Sequence, residues 1–516
     1  MSGRFSFGNL DLHLSAGSGR SEPIPSSEVP FRIAVLGDFS GQAGREKVRV
    51  PPAKLHPVFI DRDNFEDVLQ ELGVQAHLQL GTSRQRLVLR FESLDDFHPD
   101  RILTTLSVFQ RLRDMRRKLV NPATFAEAAA EVRKWAGVGD EEARPEEKNQ
   151  GESESEPEDV ELSAGFLLDA LKERKAGGRG SAESSDWARM LKELVEPYRI
   201  EREDPAQAQL VGYVDAAIGE LMEAILHHPE FQALEATWRG VYFLVSQLET
   251  GSELKIYLVD LTKKELATDL RSVEDLSRTA IYRKMVEETV QTPGANPWAL
   301  LAGSYVFGLE SDDIESLGRI AKIASAAGAP FVANAGSSLI GCASLASTPD
   351  PDDWSVPGET PATQRWEALR RLPEASWLGL ILPRFLLRLP YGKRFDPVES
   401  FPFEEMGASP EHEHYLWGNP CFVAALLIGR TFSESGWDFS EGIQQDVDGL
   451  PVHVYEEAGE SIAKPCAEIL LTQRAADTIA SHGLMPLATM KGEDRVRLLR
   501  VESVAEPPSR LAGRWR

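Results

Sequence analysis

The apolar residues of the chain recur at helical spacing in several segments. After Pro229, the residues Phe231, Leu234, Trp238 and Val241 follow at short intervals that place them on one face of a helix. Proline suits the first turn of a helix because its missing N–H would be unpaired there in any case. This spacing predicts helices over 64–72, 101–118, 123–135, 229–248, 312–327 and 418–432.

Short apolar runs lie between the helical segments and predict β-strands. The run 31–39 is one example, and it leads into the glycine-containing turn 37–41. The predicted strands are 31–39, 78–80, 87–91, 254–259, 330–333 and 494–501. Because strands alternate with helices, we expect a mixed α/β fold with a partly parallel sheet.

The N-terminus has the pattern of an apolar strand followed by a flexible spacer. The apolar positions of this strand are Phe5, Phe7, Leu10, Leu12 and Leu14. Their alternation changes phase at Gly8-Asn9, where a bulge or turn fits. Residues 15–21 are rich in Gly and Ser and predict a flexible tether. A tethered apolar strand is free to pair with the sheet edge of another chain.

The chain carries a strongly acidic stretch over 140–161. This stretch contains eleven acidic residues, two basic residues (Arg144 and Lys148) and almost no apolar residue. Such a composition cannot offset the entropy of ordering, so we expect a disordered linker. The pattern therefore predicts two α/β bodies, 1–138 and 187–516, joined by the linker 139–186.

A short amphipathic helix is predicted inside this linker, over 166–174. Its apolar residues are Phe166, Leu167, Leu168 and Leu171. A lone helix between flexible segments either docks a partner or packs on its own domain. The sequence alone leaves both interpretations open.

Composition narrows the classes of function. The 516 residues include 56 basic and 81 acidic side chains, a net charge of −25. This sign disfavours binding to nucleic acid and to anionic membranes. We find no apolar stretch long enough to span a bilayer and no secretory signal, so we expect a cytoplasmic protein without membrane insertion. The three widely spaced cysteines suit reduced thiols.

The sequence offers no positive sign of an enzyme, a cofactor or a metal site. The segment 37–41 follows a strand as a phosphate loop would, but it lacks the Gly-Lys-Ser/Thr pattern, so a strand-to-turn junction is the better interpretation. Glu411-His412-Glu413-His414 has ligand-type side chains without the spacing of a known metal motif. We therefore predict no catalytic residue, no cofactor and no metal.

An apolar segment over 382–394 carries an unusual set of basic residues. These residues are Arg384, Arg388, Lys393 and Arg394. In an acidic protein, arginines in such surroundings pair with carboxylates. The partners lie either inside the chain or across an interface with another subunit.

Long ordered matches make the chain similar to the contractile sheath proteins of type VI secretion. Residues 30–135 resemble the small subunit (TssB or VipA), notably in 30–41, 61–65 and 91–100. Residues 225–505 resemble the large subunit (TssC or VipB). The matching segments there are 225–240, 382–392, 415–419 and 449–453. The acidic linker then corresponds to a fusion joint between two subunits that are normally separate.

The resemblance implies a structural, non-catalytic protomer that polymerises around an inner tube and contracts to expel it. The resemblance also implies that the N-terminal strand is exchanged between copies of the chain. The implied partners of the chain are other copies of itself, the inner tube protein and baseplate components. The predicted helix 166–174 occupies the position at which a ClpV-like AAA+ unfoldase grips the large subunit. The resemblance further implies that the large-subunit part is shortened at its C-terminus. An accessory that caps, nucleates or regulates the sheath is therefore the alternative function.

Overall fold

The computed structural model describes residues 7–9, 29–44, 55–80, 87–135, 207–355, 358–407, 410–457 and 459–515. Helices and strands alternate along these segments, so the predicted mixed α/β class is confirmed. The strands are β1 (Phe31–Gly37), β2 (Val58–Ile60), β3 (Gln75–Leu78), β4 (Leu87–Arg90), β5 (Leu254–Asp260), β6 (Leu300–Phe307), β7 (Phe331–Ala335), β8 (Leu378–Leu382), β9 (Phe385–Leu386), β10 (Trp417–Gly418), β11 (Asp446–Val447), β12 (His453–Glu457), β13 (Glu460–Lys464), β14 (Met485–Thr489) and β15 (Val496–Leu498). The helices are α1 (Phe65–Leu72), α2 (Pro99–Thr105), α3 (Gln110–Val120), α4 (Phe125–Trp135), α5 (Gln207–Leu226), α6 (Pro229–Gln247), α7 (Lys263–Arg271), α8 (Ala280–Tyr282), α9 (Ser311–Ala327), α10 (Pro361–Arg370), α11 (Cys421–Ser435) and α12 (Gln473–Ser481).

A nine-stranded sheet forms the centre of the molecule. Its strand order is β11-β15-β14-β8-β7-β6-β1-β5-β2. The strands from β14 to β5 pair in parallel, whereas β2, β15 and β11 pair with their neighbours in the antiparallel sense. The partly parallel sheet that the sequence predicts is therefore confirmed.

Strand β1 lies inside this sheet although it comes from the N-terminal part of the chain. Phe31 pairs with Leu254 of β5, and Ile33 pairs with both Ile256 of β5 and Leu300 of β6. The side chains of Phe31 and Ile33 are fully buried, as expected for a parallel strand that is covered on both faces. The N-terminal and C-terminal parts of the chain thus share one sheet.

Two apolar clusters cover the two faces of the sheet. Helices α6 and α11 contribute to one cluster, and helix α9 contributes to the other. Helices α6 and α11 approach closely at Gly240, where an added Cβ would lie 2.3 Å from the ring of Phe422. A glycine at this position therefore allows the aromatic ring to pack directly on the helix backbone.

Most helical predictions are confirmed, but the helix expected over 101–118 is interrupted. Helix α2 ends at Thr105, and Leu106 has an extended backbone with φ −84° and ψ 126°. The break allows Leu106, Val108 and Phe109 to turn into the core. The strand expected over 78–80 is also displaced, since β3 ends at Leu78.

Candidate functional site

The structure joins the N-terminal and C-terminal parts of the chain through polar contacts as well as through the sheet. Arg116 of α3 donates to the buried Asp215 of α5 at 2.5 Å. The carboxylate of Asp100 accepts hydrogen bonds from the backbone N–H groups of Glu399 at 3.0 Å and Ser400 at 2.9 Å. These contacts fix the orientation of α2 and α3 against the C-terminal part.

Arg388 lies at the centre of a buried ion network. Its guanidinium donates to Glu235 at 2.8 Å through Nε and to Glu405 at 2.7 Å through Nη1. Both carboxylates are almost completely buried. Arg239 also donates to Glu235 at 2.7 Å and to the hydroxyl of Tyr391 at 2.9 Å. Two arginines thus balance two carboxylates between α6 and the segment 388–405.

Arg388 and Glu405 hold each other in the ionised state. Burial alone would raise the pKa of Glu405, but the charge of Arg388 and hydrogen bonds from His227, Arg388 and the Tyr391 N–H lower it to about 2. Burial would likewise lower the pKa of Arg388, yet Glu235 and Glu405 keep it well above its usual value. Glu405 and Arg388 therefore stay charged at neutral pH.

Arg384 belongs to a second cluster, formed with Glu468 and His412. Arg384 donates to Glu468 Oε1 at 2.5 Å, and His412 Nε2 lies 3.1 Å from the same oxygen. Lys464 Nζ lies 2.9 Å from His412 Nδ1. Because an ammonium group only donates, His412 Nε2 carries the proton toward Glu468. Burial would raise the pKa of Glu468, but the hydrogen bonds from His412 and Arg384 lower it to about 2.

Three side chains of this cluster are of metal-ligand type. Ligand atoms of His412, Glu413 and Glu468 all lie within 4.8 Å of one another. However, Arg384 and Lys464 already contact Glu468 and His412, so a cation would have to displace two positive side chains. The donors as arranged therefore do not fit a metal ion. The proximity of Glu468 to His412 was not predictable from the sequence, because Glu468 lies far from 411–414 along the chain.

The other two basic residues of the 382–394 segment are exposed. The Arg394 guanidinium donates to the carbonyl oxygen of Val454 at 3.3 Å. The backbone N–H of Lys393 donates to Glu404 at 3.2 Å. The structure thus places Arg384 and Arg388 in internal ion pairs, whereas an interface role for Lys393 and Arg394 stays a prediction.

The turn after β1 does not offer its N–H groups to a phosphate. Asp260 Oδ1 accepts hydrogen bonds from the backbone N–H groups of Phe39 at 3.0 Å and Ser40 at 3.1 Å. The Ser40 hydroxyl donates to the other oxygen of Asp260 at 2.6 Å. A carboxylate therefore occupies the donors that would bind an anion, in agreement with a strand-to-turn junction.

The predicted exchange strand and docking helix fall mainly outside the described residues. Those outside are Phe5, Leu10, Leu12, Leu14, Phe166, Leu167, Leu168 and Leu171, together with the acidic linker 139–186. Phe7 is described, and it is 6% exposed. It packs against helix α9 of its own chain at Gly318. The exchange of this strand between copies stays a prediction.

Comparison with known proteins decides the family. Residues 208–505 match the EvpB/VipB family of tail sheath N-terminal domains, and residues 19–135 match the VipA family of the type VI secretion system. The chain belongs to the type VI secretion sheath family. Because the two matches follow one another, it is a fused TssB/TssC-like sheath protein, as predicted.

Two curated sheath proteins of Pseudomonas aeruginosa are similar to this fused chain. The chain is 31% identical to the type VI secretion system sheath protein TssC1 over 369 residues, which cover 70% of this chain and 74% of that protein. It is 26% identical to the sheath protein TssB1 over 103 residues, 19% of this chain and 59% of that protein. This sheath family is structural, and no enzyme class is known for it.

Within the segments that the structure describes, no helix combines the length and apolar character needed to cross a membrane.

Proposed function

We propose that this sheath protein is a structural protomer that polymerises around an inner tube and contracts to expel it. One observation carries the proposal beyond family membership. Strand β1 of the TssB-like part pairs with β5 and β6 of the TssC-like part, so one chain supplies both halves already interlocked. A protomer of this kind needs no second sheath subunit to complete its central sheet.

Assembly would proceed through the N-terminal strand of one copy and a sheet edge of the next. A head-to-tail contact whose rotation does not close into a ring builds an open helix. Contraction would then be the concerted repacking of many identical interfaces, without catalysis or nucleotide hydrolysis by this chain. Exposed Lys393 and Arg394 are available for such interfaces.

The remaining partners follow from the same proposal. An inner tube protein would fill the lumen, and baseplate components would nucleate the first layer. A ClpV-like AAA+ unfoldase would disassemble contracted sheath by gripping residues 166–174. Replacing Leu167, Leu168 and Leu171 by Ala tests the role of the unfoldase. The substitutions remove the apolar face that docking needs, so we expect weaker binding of the unfoldase to this chain. Equal affinity of the unfoldase for the wild type and the variant would contradict docking at 166–174.

Negative-stain electron microscopy of the purified protein, alone and with an inner tube protein, tests the function directly. Long hollow tubes are the expected result. Monomers or small rings under both conditions would contradict a self-sufficient protomer and would favour an accessory that caps or nucleates the sheath. Deleting residues 1–14 should leave a folded protomer that no longer assembles, and unchanged tubes after this deletion would contradict strand exchange.

A further inference from the structure

Residues 7–9 lie in a groove between helix α9 and the turn 274–276. The backbone N–H of Asn9 donates to the carbonyl oxygen of Glu274 at 3.0 Å, and the N–H of Leu276 donates to the carbonyl oxygen of Asn9 at 3.0 Å. This pattern is a short parallel bridge between Asn9 and Asp275. The backbone of Asn9 thus pairs with the turn as a residue of a parallel strand would.

The groove is shaped for an aromatic side chain followed by glycine. An added Cβ at Gly318 would lie 2.2 Å from Cδ1 of Phe7, so the missing side chain on α9 makes room for the ring. Gly8 has a φ of +81°, which is costly for residues with a side chain. An added Cβ at Gly8 would also lie 3.3 Å from the carbonyl oxygen of Glu274. The sequence Phe-Gly-Asn therefore fits this groove closely.

Two basic residues of α9 complete the groove. The Lys322 ammonium donates to the carbonyl oxygen of Gly8. The Arg319 guanidinium donates to the carbonyl oxygens of Leu270 at 2.9 Å and Val273 at 3.2 Å, and so it fixes the turn that pairs with Asn9. Both walls of the groove are therefore held in place by contacts within the chain.

We infer that this groove is a binding site for a Phe-Gly-Asn segment, and that residues 7–9 of the same chain fill it before assembly. Leu10, Leu12 and Leu14 follow directly, so a docked segment restrains the predicted exchange strand on its own protomer. Release of residues 7–9 then precedes pairing with a neighbour. The effect on assembly rests on the proposed function, whereas the binding site itself does not.

A disulfide between positions 9 and 275 tests the inference in the full-length protein. Bridged residues on adjacent strands are about 5 Å apart, a separation that a disulfide can span. The variant carries Asn9→Cys and Asp275→Cys, and the three native cysteines are buried. We expect the oxidised variant to form an intramolecular disulfide and to lose tube assembly, and we expect reduction of the same sample to restore it.

Each other outcome of this experiment is decisive. Tubes formed equally well by the oxidised variant would show that docking does not restrain assembly. A failure to form the disulfide, or disulfides formed solely between copies, would overturn docking within one chain. If the wild-type protein forms no tubes at all, the proposed function fails, yet the intramolecular disulfide still decides whether residues 7–9 fill the groove.

A second variant tests the groove without a disulfide. Gly318→Ala places a methyl group where the Phe7 ring lies, while alanine favours the helix itself. We expect chymotrypsin to cleave after Phe7 faster in this variant than in the wild type. Gly212→Ala is the matched control, because an added Cβ on this helical glycine contacts nothing within 4 Å. Equal protection of Phe7 in all three proteins would overturn the inference.

Discussion

At the scale of single residues, the buried charges around Arg388 make a large contribution to the stability of the fold. Glu235 is fully buried, and Glu405 is 3% exposed. Taking such charges out of water is costly, and a pair offsets this cost when its geometry is good. The four hydrogen bonds from Arg388 to the two carboxylates, between 2.7 and 3.3 Å, provide that geometry.

Replacing Arg388 by Met should strongly destabilise the protein. The variant leaves Glu235 and Glu405 buried with fewer cationic partners, and such a loss typically costs about 3–5 kcal/mol. The free energy of unfolding in urea measures the effect. Arg371→Ala is the control, since Arg371 makes an exposed ion pair with Glu367 that contributes about 0–1 kcal/mol. Similar losses for both variants would contradict the role given to the buried network.

Acid should destabilise the protein through Glu405 and Glu468. Both carboxyls have a pKa lowered from 4.5 to about 2 in the folded protein. A lowered pKa stabilises the folded state above the ordinary value of 4.5, and this stabilisation is lost as the pH falls from 4.5 toward 2. Urea midpoints measured across this pH window should therefore decrease.

The same pH series has a direct control. Glu468→Gln should flatten the decrease, because this side chain can no longer bind a proton. Glu413→Gln should leave it unchanged, because the side chain of Glu413 is 70% exposed. A slope that is equal in the wild type and in Glu468→Gln would assign the acid sensitivity to other carboxyls.

At the scale of elements, the contact between α6 and α11 depends on the absence of a side chain at Gly240. Gly240→Ala would place a methyl group against the ring of Phe422. Overpacking of this kind typically costs about 1–3 kcal/mol, which outweighs the helix preference of alanine. Thermal unfolding measures this effect, and we expect Gly240→Ala to lower the melting temperature. Gly212→Ala is the control, because an added Cβ on this helical glycine contacts nothing within 4 Å. A raised melting temperature in both variants would show that α11 can move away from α6.

The elements also show where local sequence patterns stop being informative. Helices α6 and α9 begin and end within one residue of the predicted bounds, and α6 buries the single apolar face that its spacing predicts. The break after Thr105 was not predictable from spacing, since Leu106 leaves the helix to reach the core. The extent of β3 is set by its partner: Leu78 pairs with Leu87, and Gln75 pairs with Arg90.

At the scale of the whole molecule, the sequence predicts the family and the mixed fold but not the interlocking of the two parts. The apolar character of residues 31–37 predicts a buried strand, as β1 is. Its neighbours β5 and β6 lie far away in sequence, and nothing in a local pattern identifies them. The sequence predicts that Arg384 and Arg388 pair with carboxylates. It does not identify Glu468 and Glu235 as the partners, because these residues come close only when segments far apart in the sequence pack together.

Cleavage of the acidic stretch should leave the two parts of the molecule together. Limited proteolysis is expected to cut first within 140–161. The fragments should then elute as one species in size-exclusion chromatography, because β1 stays paired with β5 and β6. Fragments that separate without denaturant would contradict the shared sheet, and first cuts elsewhere would contradict the predicted linker.

The central position of β1 has a consequence for synthesis on the ribosome. This strand ends at Gly37, but β5 begins at Leu254 and β6 at Leu300. At roughly 5–20 residues per second, the nascent N-terminal part waits about ten to forty seconds for its first neighbouring strand. During that time its apolar side chains have no sheet to join, so the cell must keep this nascent segment from aggregating until the second half of the chain emerges.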